Sequence, residues 1–314
     1  MTRNNNEPPP ISLPYVNAKS HTDNDSLATE IISAMAKAGA CVVRNMFDTI
    51  TTEKVIEDVR PHIADAGNYT GCAPTSKTVT ALLSKSDTFA LDIVGHPVFH
   101  TVIDHFLTNE LHPRQVLPNQ LVSGQCKPQL DASFCVCIGP HGEGQDLHRD
   151  DIDRMHWLSG ASEYKLGRDL GVAMLTALTP TTRDNGATVV LPGSHLWNYE
   201  DVLPDHADPR LVTPELRPGD SLLLLSSTLH AGGSNVTEDT RMVAVCFAAR
   251  AHLKQLENQY LAHDMDKVRN FPVWLQRFMG YTLTQPYCGW VDKKDPLRII
   301  NAKAEEFLDG WNLL

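Results

Sequence analysis

The stretch Gln145-Asp-Leu-His-Arg-Asp-Asp151 decides how this chain is interpreted, because it places His148 and Asp150 in the pattern His-x-Asp. On a β-strand, side chains alternate between the two faces, so residues i and i+2 project in the same direction. One imidazole nitrogen and one carboxylate oxygen can therefore reach a single point from a short segment. A second histidine would complete the two-histidine, one-carboxylate facial triad that binds iron in non-haem Fe(II) oxygenases.

The best candidate for that second histidine is His230, which follows the apolar run Ser221-Leu-Leu-Leu-Leu-Ser226. Farther along the chain, Arg241 begins another strand-like run, Met242-Val-Ala-Val-Cys-Phe247. A guanidinium group can bind a carboxylate through two parallel hydrogen bonds. The sequence therefore predicts an iron site formed by His148, Asp150 and His230, with Arg241 as the anchor for a dicarboxylate cosubstrate.

A second copy of the pattern, His206-Ala-Asp208, tests how specific it is. This copy lies in Pro204-Asp-His-Ala-Asp-Pro209, between two prolines, where a strand cannot present the two side chains together. We interpret it as a solvated loop. The alternative for His148 is a polar surface turn, and the downstream histidine and arginine favour the metal site over that alternative.

Composition excludes several classes of function. The net charge is -11 and there is no block of lysine and arginine, so we expect no nucleic-acid partner. The longest purely aliphatic run, Leu222 to Leu225, is far too short to span a membrane. The first ten residues lack the apolar region of a secretory signal. The seven cysteines are scattered and odd in number, which predicts a reduced, cytoplasmic protein.

The order of predicted elements indicates one domain, residues 21–314, after a disordered tail of residues 1–20. Helices are predicted first, and residues 64–88 form a long loop. From Pro118 onward the hydrophobic period changes from helical to two, which is typical of strands. Helix returns after Leu253, and a last helix is predicted over Asp295 to Trp311. The early helices are Ser26 to Ala38, one that starts near Thr51, and Pro97 to Leu107.

Strands of even spacing between helical ends predict a mainly β fold with flanking helices: a jelly roll, or cupin-like double-stranded β-helix, with its β core at about residues 117–250. Cys135 and Cys137 alternate on an apolar strand and are interpreted as core thiols. The predicted strands are Ala40–Val43, Leu121–Val122, Ser133–Ile138, Val172–Leu178, Ala187–Leu191, Leu222–Leu225 and Met242–Ala248.

Several of these segments resemble one known family. His148-Arg-Asp150, Asn185-Gly-Ala-Thr-Val-Val-Leu-Pro-Gly-Ser-His195, Pro218-Gly-Asp220, and His230-Ala-Gly-Gly233 followed by Arg241 are similar to motifs of the phytanoyl-CoA dioxygenase-like Fe(II)/2-oxoglutarate oxygenases. The similarity is greatest to the fungal branch that tailors natural products.

The resemblance implies the cofactors Fe(II), 2-oxoglutarate and O2. It implies that His148, Asp150 and His230 bind iron, that Arg241 pairs with the distal carboxylate of 2-oxoglutarate, and that Gln145 and Thr188 help to hold that cosubstrate. Without the resemblance, Gln145 would be interpreted as a surface amide and Thr188 as an ordinary strand residue. A homodimer is also expected, because relatives often complete the pocket with a loop of the partner subunit.

The expected substrate is a largely apolar, polycyclic secondary metabolite such as a meroterpenoid or alkaloid. Hydroxylation, desaturation, rearrangement and endoperoxidation all remain open. The strand after Arg241 lacks the tyrosine that a related endoperoxidase uses there, which weighs against a tyrosyl-radical mechanism. The alternatives are a phytanoyl-CoA-type lipid hydroxylase and a non-enzymatic jelly-roll binding protein. His141, His156 and Trp157 are candidates for the substrate entrance, and His195 for a turn-stabilising role.

Overall fold

The computed structural model describes residues 11–68, 75–117, 120–284, 288–301 and 307, with the backbone alone for residues 111–117 and 120–123. Its largest sheet has the strand order β1-β2-β10-β8-β12-β7-β4-β3. The strands are β1 (Tyr15–Asn17), β2 (Ala40–Arg44), β3 (Gly67–Asn68), β4 (Lys77–Thr80), β5 (Asn109–Leu117), β6 (Gln120–Cys126), β7 (Gln129–Ile138), β8 (Gly171–Ala177), β9 (Val189–Val190), β10 (Ser221–Leu225), β11 (His230–Ala231) and β12 (Arg241–Ala249).

A smaller sheet is formed around the antiparallel pair β9 and β11. Isolated bridges extend this pair on both sides, because His148 pairs with His230 and Val190 pairs with Val212. The chain thus passes alternately between the large sheet and the smaller one, which is the strand order of a jelly roll. The predicted fold class is confirmed, with separate sheets and not a single closed barrel.

Helices cover the outer face of the large sheet. They are α1 (Asn24–Ala38), α2 (Thr49–Val59), α3 (Leu82–Lys85), α4 (Pro97–Leu107), α5 (Gln259–Ala262), α6 (Met265–Asn270), α7 (Val273–Phe278) and α8 (Leu297–Ile300). The predicted bounds of α4 match the structure. The predicted last helix, Asp295 to Trp311, is shorter in the structure: α8 ends at Ile300, and neither Asn301 nor Phe307 is helical. Residues 302–306 and 308–314 lie outside the described residues.

Helix α1 ends at a glycine that the fold requires. Asp23 caps the first turn by accepting a hydrogen bond from the Ser26 N–H at 2.8 Å. Gly39 ends the helix at φ 78°, and a Cβ atom there would lie 2.7 Å from Nδ1 of His195. The Gly39 carbonyl accepts a hydrogen bond from the Thr228 hydroxyl at 2.8 Å. This end of α1 therefore packs directly against the turn that precedes His230.

Side chains of the central strands alternate between two different environments. On β12, Met242, Ala244 and Cys246 belong to the core beneath the helices, whereas Val243 and Val245 belong to a separate apolar cluster on the other face. On β7, Cys135 and Cys137 also point into the helical core, with their sulfur atoms 3.9 Å apart. The interpretation of these cysteines as core thiols is confirmed.

Four other predicted boundaries are wrong. The predicted disordered tail, residues 1–20, is too long, because Tyr15–Asn17 form β1 and pair in parallel with β2. Residues 1–10 lie outside the described residues. The predicted loop 64–88 contains β4, whose backbone pairs with β7. The predicted strand Ala187–Leu191 is shorter in the structure, where β9 comprises Val189–Val190. The β core begins before residue 117, because β2 and β4 are strands of the main sheet.

No helix among the described residues is long and apolar enough to cross a membrane.

Candidate iron and 2-oxoglutarate site

The structure brings His148, Asp150 and His230 together. One possible ligand atom from each side chain lies within 4.8 Å of the other two. Among the described residues, these three side chains form the group that could hold a metal ion. The Oδ1 atom of Asp150 is 3.6 Å from Nε2 of His230 and 3.9 Å from Nε2 of His148. The bridge between His148 and His230 creates this proximity, since it aligns residues that are far apart in sequence on neighbouring strands.

Backbone carbonyl groups orient both imidazole rings. Nδ1 of His148 lies 2.8 Å from the carbonyl oxygen of Asp146, and Nδ1 of His230 lies 3.0 Å from that of Thr228. A carbonyl oxygen can only accept, so each Nδ1 donates, and the lone pair of each neutral ring is on Nε2. The two nitrogen atoms that face Asp150 are therefore the ones able to bind a metal ion.

The protonation state of the site also suits a metal ion. Burial lowers the pKa of His148, and the neighbouring His230 lowers it further, so the ring is kept neutral. Oδ2 of Asp150 is buried and has no hydrogen-bond partner in the part of the chain that the structure describes. A buried carboxylate oxygen without a partner is costly unless a cation or another donor satisfies it. The residues present thus fit a divalent metal ion with two nitrogen ligands and one oxygen ligand.

A cavity that opens to solvent adjoins the triad. Arg241, Gln145 and Thr188 all line it, so the structure brings every predicted site residue to the same space. Arg241 lies at the first residue of β12, opposite Ile138 of β7, and is 5% exposed. It is the only arginine or lysine among the described residues that line the cavity.

Gln145 has a defined structural role at the edge of the cavity. Its backbone N–H donates to the carbonyl of Gly232, and its side-chain Oε1 accepts from the N–H of Gly232 at 2.9 Å. A Cβ atom on Gly232 would lie 2.8 Å from that oxygen. Glycine after His230-Ala is therefore needed for the close approach of these two segments.

Much of the cavity wall is apolar. Its apolar side chains come mainly from the inner faces of β7 and β12, with one residue from β8: Phe134, Val136, Ile138, Leu175, Val243, Val245 and Phe247. The rings of Phe134 and Phe247 have their centroids 5.7 Å apart. No tyrosine is found among the described residues that line the cavity. The metal-binding group thus adjoins a hydrophobic compartment.

The other candidate histidines lie elsewhere. His195 is buried, and its Nε2 bonds to the carbonyl of Ala36 at 3.1 Å, which joins its turn to α1. His141 is exposed and contacts Glu238. His156 faces Asp151, and neither His141, His156 nor Trp157 is among the residues that line the cavity. The structure does not support the prediction that these three residues form the entrance.

Some residues of the site were not predicted from sequence. Glu143, Gly232 and Gly233 line the cavity, and the glycines follow His230 so closely that their position was a usable signal. Two charged residues that alternate with the triad, Arg149 and Asp151, are buried. Nothing in the local sequence indicates which partners satisfy their charges.

The sequence profile of the phytanoyl-CoA dioxygenase family matches residues 35–243 of this chain. The dioxygenase cnsJ of Penicillium expansum is 46% identical over 294 residues, which cover 93% of this chain and 88% of that protein. The dioxygenase peniF of Penicillium patulum is 31% identical over 298 residues, or 94% of each chain.

Solved structures show the same fold at low sequence identity. HygX from Streptomyces hygroscopicus, with nickel and 2-oxoglutarate bound, superposes with a TM-score of 0.53 at 16% identity, over 72% of this chain and 88% of HygX. The epimerase SnoN, in complex with Fe³⁺, alpha ketoglutarate and nogalamycin RO, gives a TM-score of 0.52 at 16% identity, over 72% and 85% of the two chains. The chain therefore belongs to the phytanoyl-CoA dioxygenase family, and it is a non-haem iron dioxygenase that depends on 2-oxoglutarate and O2.

Proposed function

We propose that this enzyme oxidises a largely apolar, polycyclic secondary metabolite and releases succinate and CO2. The observation that carries the proposal is the apolar wall of the cavity beside the triad, whose residues Val136, Leu175 and Val243 offer no charge to a substrate. Pockets of this kind hold a ligand mainly by burying its apolar surface, with a few polar groups to orient it. Among the solved relatives in fold, SnoN is described as an enzyme of nogalamycin biosynthesis.

In this proposal, His148, Asp150 and His230 bind Fe(II) through two imidazole nitrogens and one carboxylate oxygen. The carbonyl groups of Asp146 and Thr228 fix the rings so that Nε2 faces the metal. Three protein ligands on one side leave the other coordination positions for the cosubstrate and O2. When bound, Fe(II) and 2-oxoglutarate together supply the oxidation of a substrate C–H bond, coupled to oxidative decarboxylation of 2-oxoglutarate.

Arg241 is proposed to bind the distal carboxylate of 2-oxoglutarate. It is a buried cation in the same cavity as the triad, and a fork of N–H donors matches a carboxylate in geometry as well as in charge. Gln145 and Thr188 line the same cavity and are proposed to assist. Because Oε1 of Gln145 is already bonded to Gly232, its amide NH2 group is the part that would donate to the cosubstrate.

The apolar compartment has two consequences for the reaction. It excludes water from the space next to the triad, which protects reactive species from side reactions. It also favours reactions that need no protein radical, because no tyrosine is found among the described lining residues. Hydroxylation, desaturation, rearrangement and a tyrosine-independent endoperoxidation all fit this cavity.

A phytanoyl-CoA-type lipid hydroxylase is the second candidate. A CoA thioester carries several phosphate groups and favours a basic entrance. Arg149 and Arg241 are buried, and the charges near the triad that are accessible are mostly acidic, with Asp146 and Asp153 exposed and Glu143 at the cavity itself. These charges oppose the binding of CoA and favour a neutral or weakly cationic substrate. Membership of a dioxygenase family decides against the non-enzymatic binding protein.

We further propose a homodimer in the cytoplasm. Large apolar side chains are exposed just after the triad segment, among them Ile152, Met155 and Trp157, and a second subunit could cover them. Light scattering that shows a monomer at micromolar concentration would contradict the dimer. The cytoplasmic location agrees with six free cysteines among the described residues.

The main experiment is anaerobic reconstitution with Fe(II) and 2-oxoglutarate, followed by optical spectroscopy and then a substrate panel under O2. We expect a visible absorption band only when both components are present. We expect succinate formation to increase with apolar polycyclic compounds and not with acyl-CoA thioesters. Succinate formation that responds to acyl-CoA alone would replace the proposed substrate class with the second candidate.

A further inference from the structure

The two residues that alternate with the proposed iron ligands are buried charges. Arg149 is 7% exposed and Asp151 is 1% exposed, whereas His148 and Asp150 line the cavity. Charges at such depth are unfavourable unless hydrogen bonds and opposite charges surround them. Their partners therefore determine how the segment from 148 to 151 is held.

Tyr199 contacts both of these charges. The guanidinium carbon of Arg149 lies 4.2 Å from the centroid of the Tyr199 ring, in a cation–π arrangement. The Tyr199 hydroxyl donates to Oδ2 of Asp151 at 2.6 Å. The same Oδ2 lies 3.1 Å from Nδ1 of His156. Tyr199 is itself 7% exposed, so water does not compete effectively for these contacts.

The same segment is tied to the turn that carries the third ligand. Nε of Arg149 donates to the carbonyl of Ser227 at 3.0 Å, and the N–H of Asp151 donates to the carbonyl of Ser226. The next residue, Thr228, supplies the carbonyl that orients the ring of His230. The buried carboxylate of Asp169 accepts from both the N–H and the hydroxyl of Ser227, at 3.1 and 2.7 Å.

We propose that Tyr199 is a positioning residue for the iron site: its ring holds Arg149, its hydroxyl holds Asp151, and together these contacts fix Asp150 between them. The inference rests on the proposed iron ligands. Its physical basis is that, among the described residues, Oδ2 of Asp150 has no hydrogen-bond partner that would hold the carboxylate directly. The orientation of Asp150 toward the two imidazoles therefore depends on the residues on either side of it.

Two substitutions separate the contributions of the ring and the hydroxyl. Tyr199→Phe keeps the ring against Arg149 and removes the hydrogen bond to Asp151; Tyr199→Leu removes both. Loss of a group that supports a metal ligand typically weakens metal binding by about 10- to 100-fold. We expect the Fe(II) dissociation constant, measured anaerobically by calorimetry, to rise about tenfold in Tyr199→Phe and toward 100-fold in Tyr199→Leu. The Fe(II)–2-oxoglutarate absorption band should shift in both.

Tyr260→Phe is the matched control. Its hydroxyl also donates a hydrogen bond, to the carbonyl of Gly280 at 3.0 Å, but in the helical region after the sheet. We expect this variant to bind Fe(II) as the wild type does. The melting temperature of each metal-free variant is measured alongside, because a purely structural role for Tyr199 would lower that temperature and leave the Fe(II) affinity unchanged.

Three outcomes would overturn the proposal: a wild-type Fe(II) affinity and absorption band in Tyr199→Phe, a lowered melting temperature without a change in affinity, or an equal loss of affinity in Tyr260→Phe. If Tyr199→Leu does not fold, Tyr199→Phe alone decides. Failure of the proposed iron ligands is recognised separately, because Asp150→Ala would then bind Fe(II) as tightly as the wild type.

Discussion

The two His-x-Asp segments of this chain share a pattern and differ in everything around it. His148 and Asp150 line a cavity, and the residue between them is a buried arginine. In the other copy, His206 is exposed, the residue between is the exposed Ala207, and Asp208 is paired with Arg210 at 2.9 and 2.7 Å. Asp208 therefore already has a cationic partner, Arg210, two residues farther along the chain. Asp150 has an oxygen with no hydrogen-bond partner among the described residues, where a metal ion can bind.

This difference shows that a His-x-Asp pattern can form a metal site only where surrounding residues, which do not bind the metal, hold the two side chains in place. A strand pairing with His230 presents the first copy, and buried contacts of Arg149 and Asp151 hold it in place. The second copy is held by local contacts: the ion pair between Asp208 and Arg210, and turn hydrogen bonds from the Ala207 and Arg210 backbone N–H groups to aspartate side chains. Variants made in parallel at the two copies test this contrast.

The largest contrast is expected for the aspartates. Asp150→Ala should reduce turnover to background, because one of three metal ligands is lost and the open positions no longer face both cosubstrate and substrate. Asp208→Ala should keep near-normal activity, because it removes an ion pair with the exposed Arg210 on a loop away from the cavity. Ion pairs at the surface typically contribute about 0–1 kcal/mol to stability. Succinate production under identical conditions is the measurement. Native turnover in Asp150→Ala would refute the assignment of the iron ligands.

The arginines near the two copies give the second contrast. Arg241→Ala should weaken 2-oxoglutarate binding by about 2–5 kcal/mol, because the cosubstrate's distal carboxylate would lose its charged partner in a partly buried site. This corresponds to roughly 30-fold to several-thousand-fold in apparent affinity. Arg210→Ala should leave that affinity unchanged. Titration of 2-oxoglutarate at saturating Fe(II) decides, and an unaltered dependence in Arg241→Ala would rule out this role.

The residues between the ligands give a third contrast, in stability. Arg149→Ala leaves the Ser227 carbonyl without its charged donor and removes the cation–π contact with Tyr199. Hydrogen bonds to charged groups contribute about 1.5–3 kcal/mol. Ala207→Ser lies on an exposed loop and should change the free energy of unfolding by less than about 0.5 kcal/mol. Chemical denaturation of the metal-free proteins measures both. Equal stability of the two variants would show that Arg149 is not a structural support.

The smallest expected effect is stabilisation by the metal. At free Fe(II) of about ten times the dissociation constant, binding to the native state alone adds about 1.4 kcal/mol. A melting temperature measured anaerobically should therefore rise by a few degrees in the wild type and in Asp208→Ala. It should not rise in Asp150→Ala. A similar rise in all three proteins would place the metal somewhere other than this triad.

His148, Asp150, His230 and Arg241 were predictable because each belongs to a recognisable local pattern, whereas Gln145 and Thr188 were expected only from the family resemblance. The linear sequence contains three such patterns: a histidine and an aspartate two residues apart, a histidine after an aliphatic strand, and an arginine at the start of the next strand. Helix α4 was predictable for the same reason, since its apolar side chains repeat with helical period and proline begins it. The fold class followed from the change of period near residue 118.

The parts that sequence did not reveal depend on contacts between distant segments. Strand β4 lies in a region rich in serine, threonine and glycine, and is a strand because β7 offers it a free edge. Strand β1 is likewise made by its pairing with β2. Tyr199 lies 48 residues from Asp151, and no spacing rule connects a tyrosine to a buried carboxylate at that separation. Local propensity is overridden in each case by tertiary pairing.

The alternation along β12 has a consequence for how this enzyme can diverge. Val243, Val245 and Phe247 face the cavity, while Met242, Ala244 and Cys246 maintain the helical core. Mutations at every second position can therefore remodel the substrate compartment while the folding core stays the same. Insertion of a single residue would instead exchange the two sets of side chains. Specificity for new substrates should therefore evolve in this fold through substitutions in β12, and insertions should be confined to the loops.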